Sequence, residues 1–142
     1  MTRLVFVLVA VVLASGAGTA GAADRGTLTL RTSAYGKILF DGGGRALYAF
    51  TKDPLGRSVC AGACAKAWPP YVVKARPKVG AGVKPSLLGT TKRADGRIQV
   101  TYSGRPLYYY VGDRAPGQIL CQNVSEFGGV WLVVRPTGAL VR

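Results

Sequence analysis

The chain has 142 residues, with 19 Lys and Arg against 6 Asp and Glu (formal net charge +13), three cysteines and no histidine. Without imidazole, Ser-His-Asp triads, Cys-His dyads and histidine metal sites are excluded, and six acids leave little material for a carboxylate-rich calcium cage. The length suits one domain with a real core, the 49% hydrophobic content speaks against disorder, and the charge points to anionic surroundings without naming a partner.

Residues 1–22 read as a secretory signal peptide. Arg3 supplies the positive start, residues 4–13 are an unbroken apolar run, and Ala20-Gly21-Ala22 gives the small-x-small cleavage pattern. The run is shorter than the roughly 20 residues that a membrane-spanning helix needs. Cleavage is expected near Ala22; loss of Arg3 takes the net charge from +13 to +12. Ala23 and Asp24 follow the small residues where a lipid-anchored precursor would carry cysteine. The protein is therefore expected to be secreted or held in the cell envelope, with residues 23–142 forming one β domain.

In chain order, residues 27–31 alternate as a strand does. Residues 36–53 then overlay residues 96–113 without a gap. Gly36/Gly96, Ile38/Ile98, Gly44/Gly104, Arg45/Arg105, Leu47/Leu107, Tyr48/Tyr108 and Asp53/Asp113 are identical. Strands are expected over 37–40 and 46–51, joined by the Asp41-Gly42-Gly43-Gly44 turn, and over 97–102 and 106–111, joined at Ser103-Gly104. A helical turn is expected at 60–66, and further strands at 130–135 and 139–141. Self-similarity at this spacing predicts two copies of one supersecondary unit, about 30–73 and 87–136, with a Pro/Gly-rich basic connector at 74–86. The expected fold class is mostly β: two pseudo-repeated antiparallel β-meander units packed as one small β domain about a pseudo-two-fold axis.

Each copy carries Tyr-x-aromatic-x-x-Asp: Tyr48, Phe50 and Asp53, then Tyr108, Tyr110 and Asp113. Residues two apart on a strand share a face, so each aromatic pair points one way, while Tyr109 must face the other. Two readings stand. The rings fill the core and the aspartates close turns, or one face is an exposed aromatic platform that binds a ligand. Trp68 and Trp131, which follow the two motifs, belong to the same set. These motifs, with Cys60-x3-Cys64-x3-Trp68-Pro69-Pro70 and Gly129-Val130-Trp131, resemble the bacterial secreted-repeat proteins of unknown function, predicted lipoproteins with a Yx(F/W/Y)xxD motif. The resemblance spans about residues 35–136 and implies an extracytoplasmic protein; it implies no catalytic residues.

Cys60 and Cys64 are four residues apart, which on a helical turn places their Cα atoms about 6 Å apart, within reach of a disulfide. Export favours oxidation, so a Cys60–Cys64 bridge is expected. Cys121 is left over, either as a buried inert thiol, as a competing bridge partner, or as a reactive free thiol. No metal site and no cofactor are expected. The cations Lys74, Arg76, Lys78, Lys84, Lys92 and Arg93 read as a solvated face or as a surface for anionic wall polymer or membrane; nucleic acid is not expected, since no reader motif is present. The leading expectation is a non-enzymatic envelope protein that associates with anionic components through a basic, aromatic surface. The alternative is an extracytoplasmic redox or electron-transfer accessory. An enzyme pairing Asp53 with Asp113 ranks last.

Overall fold

A computed structural model describes residues 24–142; the signal-peptide reading of residues 1–22 lies outside them. The described chain is mostly β, in three small sheets. The first has the order β2-β1-β4, from β1 (Thr27–Ser33), β2 (Gly36–Asp41) and β4 (Lys78–Val79). The second has the order β5-β6-β7, from β5 (Leu88–Lys92), β6 (Ile98–Tyr102) and β7 (Arg105–Pro106). The third has the order β3-β9-β8, from β3 (Tyr48–Phe50), β8 (Val124–Glu126) and β9 (Gly129–Val133). Pairing is antiparallel except between β1 and β4. The expected helical turn is α1 (Ala63–Ala67). The connector is more regular than its composition suggested, since it supplies β4 and ends in a 3-10 turn at Pro85–Leu87.

The two copies do not close on themselves. β3 of the first copy pairs with β9 of the second, Tyr48 opposite Val133 and Phe50 opposite Trp131. Reciprocally, residues 107–111 of the second copy bond to the first: Tyr71 N–H to Leu107 O, Tyr109 N–H to Pro69 O and Val111 N–H to Ala67 O, at 2.9, 2.8 and 3.0 Å. Of the expected strand 106–111 only Pro106 lies in a sheet, as the end of β7, because the backbone beyond it is spent on these cross-copy bonds. Between the copies, Tyr48 and Tyr108 exchange N–H···O bonds of 2.9 Å in both directions. An identical residue paired with itself marks the pseudo-two-fold axis.

The gap-free overlay is corrected in one strand. Thr32 pairs with Lys37 but Lys92 with Ile98, and Phe40 bridges Ala46 but Thr101 pairs with Pro106. The second copy thus has one more residue in its first turn and one fewer in its second, so β6 is shifted by one against β2. A one-residue slip turns every side chain to the opposite face. Ile38 is therefore fully buried while the matching Ile98 is 37% exposed, and Gln99 takes the buried place. Gly44 and Gly104 keep equivalent places before Arg45 and Arg105, both with positive φ (88° and 74°), a conformation glycine adopts without a Cβ clash.

The core is two apolar clusters, each built from both copies. One gathers Leu28, Leu39, Leu47, Tyr71, Val100, Tyr102, Leu107 and Tyr109. The other gathers Ile38, Phe40, Tyr48, Phe50, Trp68, Tyr108, Trp131, Val133 and the Cys60–Cys64 pair.

Candidate functional site

The motif residues converge on the pseudo-two-fold axis. The Tyr48 hydroxyl donates to Asp113 Oδ2 at 2.7 Å, and the Tyr108 hydroxyl donates to Asp53 Oδ2 at 2.6 Å. Each tyrosine is thus fixed by the aspartate of the other copy. The second oxygen of each carboxylate holds a loop of its own copy: Asp53 Oδ1 accepts from Val59 N–H at 2.7 Å and Asp113 Oδ1 from Leu120 N–H at 2.9 Å. Burial raises both aspartates above the ordinary carboxylate value, against the lowering effect of these donors. Burial, with the facing carboxylate, also raises Tyr48 and Tyr108, so their hydroxyls remain donors.

The rings form one column in the order Phe50, Trp131, Trp68, Tyr110, with centroids 4.1, 4.0 and 4.8 Å apart; the first three are stacked and Tyr110 is tilted by 37° against Trp68. The order alternates between the copies. Tyr48 and Tyr108 meet Trp68 and Trp131 edge-on at 5.2 and 5.0 Å, an arrangement favoured by ring quadrupoles. Both indoles end on one residue: Trp68 Nε1 donates to Glu126 Oε2 at 2.8 Å and Trp131 Nε1 to the Glu126 carbonyl at 3.3 Å. The structure thus brings Tyr48, Phe50, Asp53, Trp68, Tyr108, Tyr110, Asp113 and Trp131 into one packed assembly. Tyr109, on the opposite face, lies in the other cluster, so the back of that segment is a second packing layer.

Cys60 and Cys64 are disulfide-bonded, with Cα atoms 5.3 Å apart. Cys121 is free and half-buried at the edge of the ring stack, where it contacts Tyr110 and holds that hydroxyl's pKa up. It follows Leu120 as Cys60 follows Val59, so it is the second copy's counterpart of Cys60.

Two buried polar groups escaped the sequence reading. Arg93, counted above with the surface cations, is buried. Its guanidinium donates to Gln99 Oε1 (2.7 Å), Ser58 Oγ (2.8 Å) and the Cys60 carbonyl (2.6 Å), tying β6 to the disulfide loop. Asp41 is buried and accepts from the Tyr109 hydroxyl at 2.9 Å and from Arg45 N–H at 2.9 Å. The Arg45 guanidinium lies 4.4 Å from the Tyr109 ring and donates to the Tyr110 carbonyl. The available signal was paired departure from the repeat. In the gap-free overlay Arg93 and Gln99 stand where the first copy has Ser33 and Leu39, and Tyr109 stands where it has Ala49, opposite the polar Asp41.

No helix among the described residues is long and apolar enough to cross a membrane, and no group of three metal-ligating side chains occurs among them. Comparison with curated proteins and with solved structures gives no match. A family model described as a secreted repeat of unknown function matches residues 29–71 and 89–135. These segments make up more than half of the chain and fall on the two copies that the Tyr–Asp exchange locks together, so the chain belongs to this family of secreted repeats.

Proposed function

We propose that the protein is a non-enzymatic secreted or cell-envelope module that associates with anionic envelope components through its basic surface. The carrying observation is how its six acids are used. Asp41 and Asp113 are buried, Asp53 and Glu126 hold the motif rings, and Asp24 closes its own turn on Gly26 and Thr27. Among the described residues, Asp95 alone forms ion pairs, with Arg97 at 2.8 Å and Arg93 at 3.9 Å. Most of the surface cations are left facing solvent, the arrangement that attracts polyanions. The motif rings are stacked inside, so the aromatic part of this surface falls to Tyr35 and Phe127, 36% and 39% exposed.

The test is co-sedimentation of the chain lacking residues 1–22 with purified cell wall and with anionic vesicles. Binding at low salt that falls as salt rises supports the reading, because screening weakens exposed charge; no binding to either overturns it. A redox accessory role is the second reading, favoured by the ring stack that ends at Tyr110 beside Cys121. A redox titration of the folded protein with no thiol or chromophore change removes it.

A further inference from the structure

An open groove of about 400 Å³ lies between the chain preceding β1 and the connector, with Arg25, Lys74, Arg76 and Lys78 around Val72 and Val73. Its walls are fixed by backbone. Lys78 N–H bonds to Gly26 O at 2.9 Å and Val73 N–H to Ile98 O at 3.0 Å, and the Tyr71 hydroxyl holds the Arg25 carbonyl at 2.5 Å. The one acid on the rim, Asp24, is engaged within its own turn. Its two oxygens accept from Gly26 N–H and the Thr27 hydroxyl at 3.2 and 2.6 Å. Among the described residues, none of the four cations forms an ion pair. Arg76 Nη2 is anchored on the carbonyls of Pro85 and Leu88, at 3.3 and 3.2 Å, which orients the guanidinium while its other nitrogens stay available.

We infer that this groove is a binding site for a linear polymer of repeated oxyanions, phosphodiester or uronate carboxylate. The inference rests on the basic-surface reading above and places it at one site. Three features select this ligand class. Lys74, Arg76 and Lys78 recur every second residue, so neighbours are at most about 7 Å apart along the backbone. That is a row of charges, which a single small anion leaves mostly unmatched. Two arginines supply planar forks that suit carboxylate or phosphate oxygens. The apolar floor of Val72 and Val73 accepts the carbon skeleton between charges, and a concave site admits a chain more readily than a flat bilayer.

The experiment titrates the chain lacking residues 1–22 with inorganic polyphosphate, polygalacturonate and phosphatidylglycerol vesicles across a salt series. It compares Lys74→Gln/Arg76→Gln/Lys78→Gln with the charge-matched Lys52→Gln/Arg57→Gln/Lys66→Gln. A third variant, Lys74→Gln/Lys78→Gln, leaves the Arg76 anchor intact in case its loss disturbs the connector. The groove variants are expected to lose about tenfold or more in polymer affinity at low salt and to show a shallower salt dependence, because each neutralised contact removes about one released counterion. The control loses about threefold or less. Binding of one polymer but not the other identifies the oxyanion and supports the site. Equal losses in groove and control variants overturn the groove and leave the basic-surface reading standing. Tighter binding to vesicles than to either polymer overturns the polymer class. Wild-type protein that binds none of the three overturns both.

Discussion

Removal of the Tyr48 hydroxyl is the sharpest perturbation of the cross-copy exchange. Asp113 is 1% exposed, and it accepts from Tyr48 at 2.7 Å and from Leu120 N–H at 2.9 Å. In Tyr48→Phe the carboxylate keeps only the backbone donor, in a place water does not reach. A bond to a charged group contributes about 1.5–3 kcal/mol, so the variant is expected to lose about 2–3 kcal/mol. The pseudo-equivalent Tyr108→Phe is milder. Asp53 is only half-buried, so water replaces the lost donor, and Ser58, 2.7 Å from the Tyr108 hydroxyl, keeps its bond to Arg93. A loss of about 1 kcal/mol follows. Urea melts read both values as shifts in midpoint at constant slope, with thermal midpoints falling by about 3–5 °C per kcal/mol for a chain of this size. Adding Asp113→Asn completes a double-mutant cycle, with an expected coupling to Tyr48 of at least about 1 kcal/mol. A neutral Tyr48→Phe, or a Tyr108→Phe that costs more, refutes the reasoning.

Because burial raises Asp53 and Asp113, the folded protein holds these protons more readily than the unfolded chain. Their stabilising contribution is complete below the unfolded aspartate value of about 3.9 and is lost as pH rises through the raised folded values. Melts in high salt, which mutes the net charge, should show a stability component that falls with rising pH in this window, flatter in Asp113→Asn; an identical profile in the variant contradicts the assignment. Arg93→Met strands Gln99, Ser58 and the Cys60 carbonyl and should cost about 3 kcal/mol by urea melt, with Arg93→Lys a poor rescue because ammonium lacks the fork. Gly129→Ala puts a methyl 2.5 Å from the Phe50 ring and 3.1 Å from Lys52 N. It should cost about 1–3 kcal/mol by overpacking and perturb the near-UV circular dichroism of the stack; a neutral result places Phe50 elsewhere.

What sequence could show followed from local rules. The disulfide was legible because four-residue spacing on a helical turn and an exported context point the same way. The β class was legible from alternation and glycine turns, and the motif from its repetition. Both readings of the motif tyrosines were consistent with strand alternation, since a buried and an exposed ring obey the same period of two. Only the partner decides, and the partner lies 55 or 65 residues away. The slip of β6 was hidden because an insertion in one turn and a deletion in the next restore the count, leaving Ile38 and Ile98 aligned in sequence and opposed in space. Arg93 was misplaced because a cation beside Lys92 reads as surface until the polar Gln99 facing it is known.

The central claim is that each copy is completed by the other, through β3 on β9, Tyr48 on Asp113 and Trp68 on Trp131. The most direct measurement is fragment complementation. Residues 24–84 and 85–142 are produced separately and followed by near-UV circular dichroism, alone and mixed. Neither fragment alone should show fixed aromatic packing or a cooperative melt, and an equimolar mixture should recover both. A fragment that folds cooperatively by itself would contradict the account.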